Sequence, residues 1–320
     1  MNNLPFSEKY RPRKVDDLIL DKIIATKIAS IIKNKDIPNI IFTGKSGVGK
    51  TSTIHCIARA IYPREYHESI IELNASDDRG IKSVHETIIN FCKRKVEFKE
   101  GYAQHKLLIL DEADNITSKA QRLINSIMEK YPLTRFAFTC NNSSDIIESI
   151  LSRCIIIRFN KPPTDNFITR IKYICSNEAI EYDEEALHYI FNMCQKDLRK
   201  TINMLELIHN SENKITIDNI LKISDIPSQE LLENLLQNIM KKDIKNICVL
   251  INNMQQQGYY SLDVLLHFIQ FIKNYNKFSE EQEDIKINLI NVLSNKSYMM
   301  SKTVTNYLQL TGAILSCIEV

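Results

Sequence analysis

Near residue 50 the chain runs Gly44-Lys45-Ser46-Gly47-Val48-Gly49-Lys50-Thr51, which fits the G-x-x-x-x-G-K-[ST] pattern of a phosphate-binding loop. The apolar segment at residues 39–43 comes directly before it and predicts a short buried strand. From Thr51 to Ile61, apolar residues recur at helical spacing. Strand, glycine loop and helix form the context that the motif requires. The stretch therefore predicts a nucleotide-binding loop rather than a chance glycine turn.

The residue types in this loop suit phosphate chemistry. Gly44, Gly47 and Gly49 allow backbone turns that a Cβ would obstruct, so successive N–H groups can point at one anion. The start of the following helix adds partial positive charge. In such loops the lysine, here Lys50, reaches the β- and γ-phosphates, and the hydroxyl of Thr51 ligates Mg²⁺. A nucleoside triphosphate with Mg²⁺ is the predicted ligand.

Composition restricts the class of protein. The chain has 320 residues, is 44% hydrophobic and 25% charged, and carries a net charge of +2, which does not single out a nucleic-acid binder. No apolar run is long enough for a membrane span, and the N-terminus lacks a signal pattern. None of the eight cysteines forms a C-x-x-C pair. We expect a soluble intracellular protein with reduced thiols, its compartment (nucleus or cytoplasm) undecided.

Short apolar strands alternate with helical patterns up to about residue 160, which predicts a parallel sheet with helices on both faces. The predicted strands are Ile40–Thr43, Ile70–Asn74, Lys106–Leu110, Phe136–Cys140 and Ile155–Phe159. Pro162 and Pro163 interrupt this pattern, and helical patterns follow. We predict three domains: a nucleotide-binding domain at residues 1–161, a helical lid at 162–226 and a helical domain at 227–320.

Apolar stripes at helical spacing predict that the last domain is an α-helical bundle. The stripes contain Leu231, Leu232, Leu235, Leu236 and Ile239; Leu262, Leu265, Leu266, Ile269 and Ile272; Ile285, Leu289 and Val292; and Val304, Leu308, Leu315 and Ile318.

Two acids follow the apolar run at residues 107–110. Asp111 and Glu112 stand where a buried parallel strand ends, the ligand side of an open α/β sheet. About sixty residues after a phosphate loop, this is the Walker B arrangement, in which Asp111 serves Mg²⁺ and Glu112 polarises the attacking water. Asp111-Glu112-Ala113-Asp114 also matches an RNA helicase signature. That class needs a second α/β lobe, whereas the downstream chain here is helical.

Three further polar residues are candidates for the site. Asn141 ends the strand that we expect beside the Walker B strand, which would put its amide near the γ-phosphate. Arg153 follows a predicted helix, residues 144–151, and could reach a neighbouring subunit's nucleotide as an arginine finger. Arg199 opens a helix of the lid and could close over the triphosphate. Each has an ordinary surface or capping alternative when taken alone.

Together these motifs resemble an AAA+ clamp-loader subunit of the replication factor C small-subunit type. The most specific strings are residues 8–12 (EKYRP), 73–81 (LNASDDRGI), 111–114 (DEAD) and 152–154 (SRC), in that order. The resemblance covers nearly the whole chain. It implies a AAA+ phosphate-loop domain with a parallel sheet between helices, a small helical lid and a C-terminal helical collar.

The resemblance also implies function and partners. Members of this family form a five-subunit arc that uses ATP and Mg²⁺ to open a sliding clamp and close it around primer–template DNA, which is contacted through its backbone. Tyr10, Arg11 and Pro12 would line the adenine side, and Arg79 would touch a DNA phosphate. Asn141 and Arg199 would be the two sensors, and Arg153 the finger in trans. No membrane partner is implied.

Some positions depart from the family pattern. Phe6 only loosely matches the aromatic residue expected before residues 8–12, and Lys196 replaces the usual glycine before Asp197. Asp145 stands where a basic residue is usual, and Asn125 and Ser126 replace paired arginines. The loss of cations weakens the expected grip on DNA. Residues 83–92 predict a helix whose apolar side either faces the clamp or packs into the core.

Two alternative functions remain open from the sequence. The chain could be a scaffold subunit of the same arc that binds ATP with little turnover, although Lys50, Glu112 and Arg153 argue against this. It could also be a AAA+ ATPase of another DNA transaction. Clamp binding separates that alternative from a clamp loader.

Overall fold

The computed structural model describes residues 4–63, 67–74, 81–97, 99–161, 164–194, 196–212, 214–223, 227–276, 278, 283–303 and 305–319. Two compact units are distinguished, residues 1–215 and residues 216–320. None of the helices in this described part of the chain combines the length and hydropathy that a membrane crossing requires.

The first unit is built around a five-stranded parallel sheet. Its strands are β1 (Ile40–Gly44), β2 (Ile70–Asn74), β3 (Lys106–Asp111), β4 (Thr134–Cys140) and β5 (Ile155–Phe159), with a separate two-residue pair, β6 (Glu181–Tyr182) and β7 (Lys214–Ile215). Its helices are α1 (Phe6–Lys9), α2 (Lys22–Asn34), α3 (Lys50–Ile61), α4 (Ile81–Lys93), α5 (Ser118–Lys130), α6 (Glu148–Leu151), α7 (Thr164–Asn177), α8 (Glu184–Met193) and α9 (Leu198–Glu212). The strand order is β2-β3-β4-β1-β5. The predicted α/β class is therefore confirmed.

Alternate residues of the central strands bury themselves on opposite faces of the sheet. Ile40 and Phe42 of β1 pack with α2 and α3, whereas Ile41 between them packs with α4, α5 and α6. β3 follows the same rule, with Leu107 and Ile109 on the first face and Leu108 and Leu110 on the second. Because both faces are covered, these strands are apolar throughout rather than alternating in polarity.

Helix α4 contributes to the core through its C-terminal half. Ile88 is fully buried, and Phe91 and Cys92 pack with it against the sheet. At the C-terminal end of α4, the buried Lys106 donates hydrogen bonds from Nζ to the carbonyls of Phe91, Cys92 and Arg94 at 2.8, 2.6 and 2.9 Å. A cation at this end of a helix satisfies carbonyls that have no partner inside the helix.

The predicted helix at residues 144–151 is shorter than expected. A 3-10 turn, Ser143–Asp145, comes first, with the Asn142 side chain accepting from the amide of Ser144. The amide of Ile147 then donates to the side chain of Gln121 at 2.8 Å, and α6 begins only at Glu148. A side-chain acceptor thus competes with the helix for the backbone, which apolar spacing does not reveal.

The second unit consists of helices. They are α10 (Ile217–Ile223), α11 (Gln229–Met240), α12 (Ile244–Gln256), α13 (Ser261–Asn274), α14 (Glu283–Lys302) and α15 (Tyr307–Leu315), followed by a 3-10 turn, Ser316–Glu319. One core joins α11 to α15 through residues such as Leu235, Ile251, Phe268 and Ile314. The first predicted stripe is buried except for Leu231, which is half-buried.

Two stripe predictions are wrong in part. Leu266 is exposed, and Phe268 is buried in its place. In the fourth stripe Leu308 is 80% exposed, because a new helix starts at Tyr307 and turns Leu310 and Ile314 inward. Val304 lies outside the described residues. Helix α12 was not predicted, although Ile247, Ile251 and Met254 have helical spacing.

Candidate nucleotide site

The phosphate loop joins β1 to α3 through backbone conformations that favour glycine. Gly47 and Gly49 have φ of +73° and +92°. A Cβ on Gly47 would lie 2.3 Å from Oδ1 of Asp197, and one on Gly44 would lie 2.4 Å from the carbonyl oxygen of Phe159. The backbone of β5 therefore excludes a side chain at Gly44, whereas at Gly47 it is the left-handed turn that favours glycine, since the Asp197 carboxylate is the end of a flexible side chain.

Lys50 is buried at the centre of the loop. Its Nζ donates to the carbonyls of Gly44 and Lys45 at 2.6 and 3.0 Å and to Oδ1 of Asn141 at 3.0 Å. Burial lowers the pKa of Lys50, and the charges of nearby groups, including Asp114 and Asp111, oppose that shift. A desolvated ammonium held by neutral oxygens can transfer its hydrogen bonds to a phosphate.

Oxygen groups collect at the end of β3. Thr51 Oγ1 donates to Oδ1 of Asp111 at 2.9 Å, and Thr139 Oγ1 hydrogen-bonds to the same oxygen. Mg²⁺ favours one or two such oxygen ligands completed by phosphates and water. Within the described residues, no group of three or more His, Cys, Asp or Glu side chains forms a metal cage. Thr51 and Asp111 therefore fit a Mg²⁺ that arrives with a nucleotide.

Glu112 follows in a left-handed conformation, with φ of +55°. Its amide donates to Thr139 Oγ1 at 3.0 Å, which ties the backbone at Glu112 to β4. Oε2 of Glu112 accepts a long hydrogen bond of 3.4 Å from Asn115. The carboxylate is exposed and lines the cavity above the phosphate loop.

Asn141 lies where the sequence predicts it. β4 lies between β3 and β1, so Asn141 is one strand from both the acids and the phosphate loop. The backbone amide of Asn141 donates to Oδ2 of Asp114 at 3.0 Å, and Oδ1 of its side chain accepts from Nζ of Lys50.

A single cavity of the first unit brings most predicted site residues together. Its lining includes Tyr10, Arg11 and Pro12 on one side, the acids Asp111 and Glu112 on another, and Arg199 from α9, with Ser46, Gly47, Val48, Gly49, Lys50, Thr51 and Asn141 completing it. Residues from the N-terminus, the sheet edge and the helices after residue 163 thus meet at one place.

Arg153 lies outside this lining. Its guanidinium forms an ion pair with Glu129 of α5, and both side chains are roughly half exposed. Glu129 also accepts from the side-chain amide of Asn125 at 3.4 Å. Ser126 donates to the carbonyl of Leu123. Arg79, the predicted DNA contact, lies outside the described residues.

Several residues of the site region were not predicted. Thr139 links both Walker B acids, and its place in the apolar run Phe136–Cys140 was the available signal. Gln121 is buried and joins α5 to the chain after β4. Arg170 lines the cavity from α7. Nothing in the local pattern marks Gln121 or Arg170, since their partners are distant in sequence.

The fold and this set of loop, acids and sensor position define an ATPase of the AAA class. The model of the ATPase family associated with various cellular activities (AAA) matches residues 40–161, and that of the replication factor C C-terminal domain matches residues 227–316. A Saccharomyces cerevisiae protein, replication factor C subunit 4, is 33% identical over 97% of this chain and 94% of its own length.

Other similar proteins carry replication factor C descriptions as well. A mimivirus protein described as a replication factor C small subunit is 35% identical over 99% of this chain and 98% of its own length. The chain belongs to the replication factor C small-subunit family. Thermotoga maritima RuvB, a Holliday junction branch migration motor, superposes with a TM-score of 0.54 over 71% of this chain and 79% of its own. At 16% identity this likeness concerns the fold alone.

Proposed function

We propose that this chain is an ATP-hydrolysing subunit of a clamp loader, which opens a sliding clamp and loads it onto primer–template DNA. Membership of the replication factor C family supports this role. The observation that supports the catalytic part is a pair of contacts at the carboxyl end of the sheet: Lys50 donates to Asn141 at 3.0 Å, and Thr51 donates to Asp111 at 2.9 Å.

Each of these residues has a role that its chemistry allows. Lys50 would hold the β- and γ-phosphates, and Thr51 and Asp111 would hold the Mg²⁺, which when bound would neutralise charge on the phosphate oxygens. Glu112 orients and deprotonates the attacking water. Asn141 hydrogen-bonds to the γ-phosphate region, and Arg199 contributes a cation from the lid. Tyr10, Arg11 and Pro12 border the base.

The reaction is completed by a neighbouring subunit in this proposal. Arg153 is exposed and lies outside the cavity of its own chain, so its guanidinium is available to an adjacent chain's nucleotide. ATP bound between two subunits then links the shape of the assembly to nucleotide state. A hetero-oligomer, with five subunits as the family resemblance implies, is the proposed assembly, held together in part by the collar at residues 227–320.

Contact between DNA and the region of α5 is proposed to be weak in this subunit. Asn125 and Ser126 carry no charge, and Asp145 is an acid. Because phosphate contacts dominate affinity, the missing cations reduce the salt-dependent grip of this subunit on DNA. Arg79 stays the proposed phosphate contact.

Hydrolysis by the assembled complex tests the enzymatic role. Glu112→Gln keeps the shape of the side chain but removes the base, and should lower clamp- and DNA-stimulated ATP hydrolysis at this subunit's site by at least about a hundredfold. ATP binding should be retained. Equal hydrolysis rates of the variant and unmodified complexes would instead support a scaffold subunit.

Clamp binding tests the biological assignment. The full complex should retain the cognate sliding clamp in a pull-down when ATP is present. Absence of clamp binding, with ATP hydrolysis intact, would favour an AAA+ ATPase of another DNA transaction.

A further inference from the structure

Tyr10 is held from two sides by helix α7 and the residue after it. Its hydroxyl hydrogen-bonds to the carboxylate of Glu178, which directly follows α7. Its backbone carbonyl accepts from Nη2 of Arg170 at 3.0 Å. The Tyr10 side chain lines the nucleotide cavity, whereas Glu178 is not part of that lining and stands behind Tyr10.

The position of Glu178 is unfavourable for a carboxylate on local grounds. Its side chain is only 14% exposed, and it follows the C-terminal end of a helix, where the dipole favours cations. Burial alone would raise the pKa of Glu178, but hydrogen bonds from Lys9 and Tyr10 bring it below the ordinary value. The half-buried carboxylate of Glu178 is therefore stabilised by the N-terminal segment that it contacts.

The same segment has further contacts at both ends. The amide of Phe6 donates to Oε2 of Glu206 at 2.9 Å, and its ring stacks on His209 of α9. At the other end, the Cys56 thiol of α3 contacts the carbonyl of Pro12 at 3.4 Å. Residues 6–12 thus connect α7 and α9 to the helix that follows the phosphate loop.

We propose that Glu178 is a positioning residue for nucleotide binding: with Arg170, it fixes Tyr10 as the wall of the cavity that receives the purine base. The inference rests on the proposed function, since it assigns the base of ATP to the Tyr10 side of the cavity. It adds that α7 determines base affinity through Tyr10, independently of the phosphate loop. Glu178 does not itself touch the nucleotide.

Calorimetric binding of ATP and of inorganic tripolyphosphate to the full chain tests this role. Tyr10→Phe, which removes one hydroxyl, should weaken ATP binding by about tenfold, the usual effect of a hydrogen bond to a charged group. Glu178→Gln should weaken it about threefold or more, because a neutral amide accepts the hydrogen bond of the Tyr10 hydroxyl more weakly than a carboxylate does. Tripolyphosphate affinity should be unchanged in both variants.

The double variant should bind ATP no more weakly than Tyr10→Phe alone, because both changes act on the one contact between the Tyr10 hydroxyl and residue 178. Glu184→Gln, which removes the exposed ion pair with Lys172, is the matched control and should bind ATP normally. Loss of tripolyphosphate binding in parallel with ATP, or ATP affinity equal to that of the unmodified chain, would overturn the positioning role. Failure of the unmodified chain to bind ATP would instead overturn the proposed function.

Discussion

At the residue scale, Lys196 shows how a departure from a family pattern appears in the backbone. It follows α8 with φ of +61°, a left-handed conformation that glycine adopts without strain. Its amide donates to the carbonyl of Phe191 at 2.9 Å, so the turn into Asp197 and α9 is fixed. The left-handed backbone explains why glycine is usual at residue 196, and lysine adopts this conformation at a cost in conformational energy.

Lys196→Gly should stabilise the protein by about 0.5–1 kcal/mol, the balance between relief of left-handed strain and added freedom in the unfolded chain. Urea unfolding measures the change. Lys27→Gly in the middle of α2 is the control, with an expected loss of about 1 kcal/mol. Destabilisation by both glycines would show that Lys196 is not strained.

His105 predicts a pH dependence of stability. Its Nδ1 lies 3.6 Å from Asp36, but burial lowers the pKa of His105 to about 4, from 6.5. Between these values the unfolded chain binds a proton that the folded chain does not, so stability should fall as pH decreases from 6.5 to about 4. Above pH 6.5 the group contributes no dependence.

Thermal unfolding from pH 8 to pH 4.5 should therefore show a smaller loss of stability in His105→Gln than in the unmodified chain. The comparison isolates one group, because other acids titrate in both proteins. Parallel pH curves for the two proteins would contradict the shifted histidine.

The sequence predicts the site residues that belong to a local pattern. The phosphate loop needs adjacent glycines and a lysine at a helix start, so all of it was recognisable. Thr139 bonds to Asp111 and Gln121 bonds to Asp145, 28 and 24 residues away in the chain, and only the sheet and the packing of α5 bring these partners together. No spacing rule within one element encodes such contacts.

At the scale of elements, one buried amide connects α5 with the segment that carries Asp145 and with the start of α6. Gln121 is 1% exposed, and its side chain donates to the carbonyls of Ile116 and Asp145, each at 2.9 Å. It also accepts from the amide of Ile147. The orientation of α6 depends on this side chain, and so does the backbone position of Arg153, which follows α6.

Gln121→Leu should destabilise the chain by about 2–4 kcal/mol, because it leaves buried backbone groups without their side-chain partner. The free energy of unfolding in urea is the measurement. Gln104→Leu removes comparable bonds, to the carbonyls of Lys99 and Tyr102, at an exposed loop and should cost less than about 1 kcal/mol. Equal costs for the two would rule out a special role for the buried amide.

Most strands were predictable as elements, and some helices were not. Five runs rich in apolar residues became β1 to β5 with bounds within two residues, and the central strands β1, β3 and β4 are mostly apolar because both of their faces are covered. The helix predicted at residues 144–151 failed because Gln121 takes a backbone donor from it. The fourth C-terminal stripe was wrong in part because its apolar spacing runs on past the end of α14, whereas the chain begins a new helix, α15, at Tyr307.

At the scale of the whole molecule, the separation of Arg153 from its own cavity predicts an effect only in the assembly. Arg153→Ala should leave ATP binding by the free chain unchanged and lower hydrolysis at the site it completes in the complex by about a thousandfold. Glu129→Gln removes the ion pair but keeps the arginine. Since exposed pairs contribute about 0–1 kcal/mol, this control should change hydrolysis little.

Calorimetry on the free chain and steady-state ATPase rates of the reconstituted complex give the two readouts. Weaker ATP binding by the free Arg153→Ala chain would mean that the arginine acts within its own subunit.

Topology was partly predictable. The expectation that the Asn141 strand neighbours the Walker B strand is confirmed by the pairing of β4 with β3. The domain boundaries after residues 161 and 226 stay a prediction, and the compact units divide at residue 215 instead of at either. The pairing of β6 with β7 joins the two ends of the α8–α9 segment to each other, although each of these strands is too short to recognise from sequence.

The attachment of residues 6–12 to both α7 and α3 has a consequence for the durability of the protein. Arg13 and Lys14 are exposed, so a trypsin-like protease can cleave just beyond this segment. One such cut would leave residues 6–12 held only by these noncovalent contacts, and dissociation of the short peptide would remove the proposed adenine side of the site with little change in the mass of the chain. Ligand occupancy should slow that cut and so protect activity during storage.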